Sequence, residues 1–185
     1  MMKAQVAVKM KSGPSIMLAS GSWFDLLDPW ASEFTIDDIA QGLSNICRYA
    51  GQCRDFYSVA EHSLHVSETA EQFKLEALLH DAAEAFIGDI TRPLKQLLPE
   101  YKTIEANVEA AIFHRFGMDE KAKPYIKSAD LRVLAAEQAQ LMPAGTDFWT
   151  AQSNIRPAPV MVEFLAPAVA RHRFITRFQQ LVGDS

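Results

Sequence analysis

The stretch Leu78-Leu79-His80-Asp81-Ala82-Ala83-Glu84-Ala85-Phe86-Ile87-Gly88-Asp89 sets three ionisable side chains inside an otherwise apolar run. On a helix at about 100° per residue, Leu75, Leu78, Leu79, Ala82 and Phe86 share one broad face. His80, Asp81 and Glu84 fall within an arc of about 100° on the other side. An apolar helix is ordinarily a buried one, and burying ionisable groups unpaired costs several kcal/mol. The three groups are therefore satisfied by one another or by a cation. A divalent metal is the simplest answer, and other segments must then supply the remaining ligands.

Two further helices carry candidates. Ser58-Val59-Ala60-Glu61 reads as a capping box that opens a helix with Val59, His62, Val66, Ala70 and Phe73 along one stripe. His62 lies on its inward face, and His65, three residues later, competes for the same role. Pro124 starts a helix to about Leu141 whose apolar stripe is Ile126, Val133, Leu134 and Leu141, with Asp130 in its midst. An Asp on a core-facing stripe is anomalous, because Asp is almost never fully buried unless paired. Two imidazoles and two carboxylates make an N/O site that suits Mn²⁺, Co²⁺, Fe²⁺ or Ni²⁺ better than a thiolate zinc site. Four ligands leave positions open for water and a substrate oxygen, the requirement of metal-assisted hydrolysis. Glu84, one turn from His80, is placed as general acid or base. Gly88 breaks the helix, so Asp89 can turn back toward the same site.

The other elements must hold these helices. Gln5-Val6-Ala7-Val8 and Ser15-Ile16-Met17-Leu18 alternate around Ser12-Gly13-Pro14, which predicts a β-hairpin or ribbon. Ser20 to Pro29 reads as a turn-rich connector. Thr35 and Asp38 mark a helix N-terminus, with Ile36, Ile39, Ala40, Leu43 and Ile46 at helical spacing and Gly51 as the stop. The metal-bearing stretch is predicted as one helix over about 74–87. A short helix follows from Arg92-Pro93 to Leu98, and a longer one spans about 100–116 with Ile104, Val108, Ala111 and Ile112 inward and Glu105 and Glu109 solvated. Residues 142–160 read as loop. Pro167 opens a last helix with Val169, Ile175, Phe178, Leu181 and Val182 toward the core.

The whole is an all-α bundle with a short N-terminal β-hairpin or extended segment. It reads as a single domain over 1–185, with a core of about 20–141 and a C-terminal helix of about 164–182. Hydrophobic residues at 49% and charged residues at 22% place it among globular chains rather than disordered ones. No apolar run is long enough for a membrane span, and the N-terminus lacks a signal h-region, so a cytoplasmic home and no membrane partner are expected. The net charge of −5 argues against polymeric nucleic acid as a partner. Cys47 and Cys53 fit neither a disulfide framework nor a zinc knuckle and are expected as reduced thiols.

The pattern His62, His80-Asp81, Asp130 resembles the HD superfamily of metal-dependent phosphohydrolases. Tyr57-Ser58-Val59-Ala60-Glu61-His62-Ser63 is similar to that family's first-ligand segment. His80-Asp81-Ala82-Ala83-Glu84 followed by Gly88-Asp89 is similar to the second, and Ile126-Lys127-Ser128-Ala129-Asp130 to the third. The likeness runs from about Ser20 to about Leu141 and is closest to the small nucleotide phosphohydrolases. These include bacterial 5′-deoxynucleotidases and a group that removes phosphates from deoxynucleoside triphosphates. The resemblance implies one divalent ion (Mn, Co, Fe, Ni or Zn) on His62, His80, Asp81 and Asp130, and it favours His62 over His65. It implies catalytic roles for Glu84 and Asp89, a small-molecule nucleotide substrate and a homo-oligomer. Arg48-Tyr49 resembles an Arg-Trp pair of the 5′-deoxynucleotidases, with Tyr in place of Trp. Lys95 and Lys127 match phosphate-holding lysines of the triphosphate-cleaving group, and Trp23 sits where that group places an aromatic against the base. Monophosphate and triphosphate substrates both remain open. Two rivals stand beside the hydrolase: a di-iron oxygenase, which would need His65, His114 or His172 as extra ligands, and a non-catalytic nucleotide sensor.

Overall fold

The structure, a computed structural model, describes residues 13–183. It opens with a two-stranded antiparallel hairpin, β1 (Ser15–Met17) and β2 (Trp23–Asp25), in the register Ser15 to Asp25, Ile16 to Phe24 and Met17 to Trp23. The second strand thus comes from the stretch predicted as a connector. The Gln5–Val8 run lies outside the described residues. Phe24 explains the pairing: it points inward, fully buried, and stacks on Phe86 with ring centroids 4.0 Å apart. This aromatic contact, with Ile16 and Leu18 packed on the same core, fastens the hairpin to the helices.

The helices follow in order: α1 (Ile36–Asn45), α2 (Val59–Thr69), α3 (Lys74–Leu78), α4 (Glu84–Ile87), α5 (Arg92–Leu97), α6 (Pro99–Arg115), α7 (Lys123–Leu141), α8 (Trp149–Gln152) and α9 (Pro167–Gly183). Among the described residues none is long and apolar enough to cross a membrane. The capping box of Thr35 and Asp38 is complete at the start of α1. That helix ends at Asn45, short of Gly51, because the chain turns extended. Arg48 N–H donates to Tyr57 O and Val59 N–H to Ile46 O, a local pairing that competes with the helix.

Central to the bundle is α2. It packs against α1, α3, α7 and α9, and Val59 to Ser67 are all buried. At its start only half of the predicted capping box forms. Ser58 Oγ accepts from Glu61 N–H, but the Glu61 carboxylate does not return the bond. It accepts instead from the backbone N–H groups of Glu163 (2.7 Å), Phe164 (3.2 Å) and Leu165 (2.8 Å). This clamp anchors the segment leading into α9. Burial alone would raise the Glu61 pKa, but His65 and those N–H groups bring it below its usual value. The inward face of α9 is Ala170 and Phe174, with Ile175, Phe178 and Leu181 packed beside them as expected, whereas Val169 and Val182 are exposed, contrary to the sequence expectation.

The predicted helix over 74–87 is broken into α3 and α4 by turns at 79–83. His80 causes the break. Its Nδ1 lies 2.9 Å from Ala77 O, the carbonyl that an α-helix would use for Asp81 N–H. Ala82, Glu84 and Phe86 then donate three residues back, a tighter winding. Gly42 of α1 faces α4 so closely that an added Cβ would sit 2.7 Å from Ala85 O. Residues 142–160 hold one short helix, α8, within the predicted loop.

Two outcomes test this frame. Gly42→Ala pushes α1 off α4 and should cost about 1–3 kcal/mol in urea unfolding; an unchanged midpoint would contradict the close approach. Glu61→Gln keeps the shape but removes the charge facing three N–H groups, and should cost about 3 kcal/mol. Because the folded pKa of Glu61 is lowered, its contribution is complete above the ordinary glutamate pKa of the unfolded chain and is lost as pH falls through the lower folded value. The variant should therefore lose less stability than the parent chain on acidification.

Candidate metal centre

α2, the turn at 79–83 and α7 each bring side chains to one point. His62, in the first turn of α2, is fully buried. Its Nδ1 lies 2.6 Å from Glu137 Oε1 on α7. A carboxylate only accepts, so the partner assigns the proton to Nδ1 and leaves a lone pair on Nε2. The same logic applies to His80, whose Nδ1 faces the carbonyl of Ala77. Both Nε2 atoms then present lone pairs to each other across 3.3 Å. Asp81 Oδ2 lies 3.2 Å from His80 Nε2 and 3.5 Å from His62 Nε2. Asp130 Oδ1 lies 3.5 Å from His62 Nε2. Without an ion, burial would lower the His80 pKa but Asp81 and Asp130 raise it, which favours an imidazolium paired with Asp81; with the rings neutral these groups offer only lone pairs, a set that fits a cation. Donor atoms of His62, His80 and Asp81 lie within 4.8 Å of one another, the one such triplet found among the described residues.

Glu137 was not read from the sequence, yet it organises the site. It accepts from Tyr57 Oη (2.6 Å) and Tyr49 Oη (3.0 Å), and Arg48 Nη2 is 3.4 Å away. Arg48 Nη1 is 3.5 Å from Asp81 Oδ2, so one guanidinium joins both carboxylates. The available signal was spacing: Glu137 stands two turns after Asp130, between Val133 and Leu141 on the same stripe.

The acidic groups divide electrostatically. Burial would raise Asp81, but His80, His62 and Arg48 hold it well below the usual carboxylate range. Burial likewise opposes Glu137 and Asp130, which are lowered by His62 and Arg48 in the first case and by His62 and His80 in the second. Glu84 goes the other way. Burial, then the charges of Asp81 and Asp89, push it well above its usual value. Its Oε2 has no hydrogen-bond partner, and its Oε1 is 3.6 Å from Lys95 Nζ. Asp89, past the Gly88 turn (φ 81°), is also raised, by burial first and by Asp81, against the pull of Arg48.

Of the sequence-predicted residues, His62, His80 and Asp81 converge, Asp130 approaches them through His62 Nε2 at 3.5 Å, and Arg48, Glu84 and Asp89 surround them. Lys95 bonds Glu105 at 2.6 Å, so Glu105 is engaged rather than solvated. Lys127 is exposed and bonds Asp130 Oδ2 at 2.8 Å. Trp23 lies in the hairpin and lines neither cavity at the site. Those cavities flank the cluster. One, of about 290 Å³, is bounded by His80, Asp81, Glu109, Lys127 and Asp130. The other, of about 630 Å³, is bounded by Arg48, Tyr49, Asp89, Arg92, Gln138 and Trp149 among others. Trp149 is held by an Nε1–H bond to Gln138 Oε1 and was hidden from sequence analysis by its place in a loop-like stretch. His65 and His172 line a separate cavity beside α9, and His114 lies against Trp30.

No protein-family model matches the chain. It is similar to the uncharacterized protein YfdR of Escherichia coli K12, with 43% identity over 152 residues that cover 80% of this chain and 85% of that protein. An uncharacterized protein of Rhodobacter capsulatus is 35% identical over 185 residues, covering 89% of this chain and 94% of its own.

Replacing Glu137 by Gln preserves size but loosens the orientation of His62. Calorimetric titration should show Mn²⁺ affinity reduced about 10–100-fold. Unchanged affinity would remove Glu137 from the site.

Proposed function

We propose that this chain, which belongs to the family of YfdR from Escherichia coli, is a metal-dependent phosphohydrolase of the HD type that cleaves phosphate from (deoxy)nucleotides. One observation carries the reading: His62, His80 and Asp81 bring two imidazoles and a carboxylate to one point, with Asp130 3.5 Å from His62, beside a buried carboxyl, Glu84, whose pKa is raised. The first four groups suit a borderline or hard divalent ion. When bound, such an ion polarises a phosphoryl oxygen and lowers the pKa of a coordinated water.

The chain's own groups supply the rest. The raised pKa of Glu84, from burial first and then the charges of Asp81 and Asp89, favours its protonated form, which can give its proton to the departing oxygen. Lys95, 3.6 Å away, steadies its ionised form afterward. Arg48 lies 3.5 Å from Asp81, and its Nε has no hydrogen-bond partner among the described residues, so a donor remains for a phosphate oxygen. Its planar donors match phosphate oxygens in pairs. Tyr49 and Trp149 offer ring faces in the larger cavity, where base stacking is worth about 1–3 kcal/mol.

A monophosphate is favoured over a triphosphate. The two lysines that the sequence matched to outer phosphates are both engaged, Lys95 with Glu105 and Glu84, and Lys127 with Asp130. Freeing them to bind extra phosphates would break these pairs.

A panel of deoxy- and ribonucleotides with Mn²⁺, Co²⁺, Ni²⁺, Fe²⁺ and Zn²⁺, read by phosphorus NMR, tests the proposal. Orthophosphate should appear from monophosphates; no product from any nucleotide sinks it, and tripolyphosphate from dATP reverses the substrate order. Glu84→Gln should lower kcat about 10²–10⁴-fold while the metal content by elemental analysis stays at that of the parent chain.

A further inference from the structure

The sequence holds two cysteines, and the fold brings them together. Cys47 Sγ and Cys53 Sγ lie 3.7 Å apart, half-buried and as free thiols. They stand at the two ends of a turn whose backbone is left-handed at Tyr49 (φ 57°), Ala50 (φ 52°) and Gly51 (φ 75°). Side chains disfavour that region, so Tyr49 and Ala50 keep it only while their surroundings hold them there. Part of the holding comes from the site itself, through Tyr49 and Arg48 on Glu137.

We propose that Cys47 and Cys53 form a reversible disulfide that latches this turn, and with it Arg48 and Tyr49, against Glu137. A disulfide needs its sulfurs about 2.05 Å apart, so the present contact has to close by less than 2 Å. Backbone bonds hold the neighbours of both cysteines, Arg48 N–H to Tyr57 O (2.9 Å) and Val59 N–H to Ile46 O (3.1 Å) about Cys47, and Gln52 N–H to Tyr49 O (3.0 Å) and Arg54 N–H to Leu141 O (3.1 Å) about Cys53. The motion therefore falls on rotation of the side chains. The Cys53 thiol lies 3.0 Å from Asp55 O and 3.7 Å from Arg48 O. Giving up these weak contacts frees it to turn toward Cys47.

The oxidant is a low-molecular-weight disulfide of the glutathione type. A protein thiolate attacks it, forming a mixed disulfide and expelling one small thiolate. The second protein thiolate then displaces the other small thiolate and closes the Cys47–Cys53 bond. Two protein thiols are oxidised, one small disulfide becomes two small thiols, and the two protein protons end on them. Burial, together with Cys47, raises the Cys53 thiol, so closure speeds up as pH rises.

The latch stands apart from the hydrolase reading and is tested without turnover. The full chain is equilibrated with excess glutathione disulfide, alkylated and analysed by mass spectrometry. Hydrogen exchange is then followed at the amides of Gly51 and Gln52, which donate to Arg48 O and Tyr49 O. The expected result is loss of both alkylation sites to one intramolecular bond, with exchange slowed about tenfold and restored by dithiothreitol. Cys53→Ser, with Cys47→Ser as a second variant should the first not fold, should show neither change. Two separately alkylated cysteines, or glutathione left on either one, overturn the pairing. A disulfide that leaves the exchange of Gly51 and Gln52 unchanged overturns the latch.

Discussion

Glu137 and His62 meet in the interior, both with no exposed surface, across 2.6 Å. A buried carboxylate is costly unless its lone pairs are filled. Here they are filled by an imidazole N–H, two phenol hydroxyls and a guanidinium that approaches within 3.4 Å. Those donors come from α2, from the strand-like residue before it and from the turn after α1. Satisfying one carboxylate on α7 therefore fixes the register of α7 against α2 and folds the chain at 46–51 back onto both. It also decides the chemistry, because the proton held on His62 Nδ1 is what leaves Nε2 free.

The balance of charge around that point explains why Glu84 differs from its neighbours. Asp81, Asp130 and Glu137 each lie against imidazole or guanidinium and stay ionised. Burial and the like charges of Asp81 and Asp89 outweigh Arg48 and Lys95 at Glu84, so its pKa is raised instead. Similar carboxyl groups thus take different roles by position. The same split is what proton transfer near neutral pH needs.

Much of this was legible in the sequence because it follows helical spacing. His62 and Asp130 stood out as polar residues on apolar stripes, and the start of α2 and the span of α7 fell close to their predicted places. The break inside 74–87 was not legible, since it depends on His80 taking the carbonyl of Ala77, a side-chain choice that apolar periodicity does not encode. The early end of α1 has a similar origin, in pairing with residues 57–59. Trp149 and Lys95 turn on tertiary contacts made by short or irregular segments. Glu137 is the instructive omission: it obeys the same spacing rule as Asp130, and a second acidic residue on one buried stripe was evidence of a second partner for His62.

Adjacent residues on α2 serve opposite tasks. Glu61 reaches three backbone N–H groups at 163–165 and fixes the approach to α9, while His62 reaches Glu137 and the cluster. Their Cα atoms are joined by one peptide unit, about 3.8 Å. A shift of α2 along its axis would therefore misplace both ends at once. α9 in turn packs on α1, and α1 on α4 through Gly42, next to Glu84. The C-terminal helix supplies none of the candidate ligands, yet it braces α2 through the Glu61 clamp and α1, which in turn meets α4 at Gly42. A site made of three short-range pairs at 3.2–3.5 Å tolerates little drift, and that bracing is what the fold supplies against it.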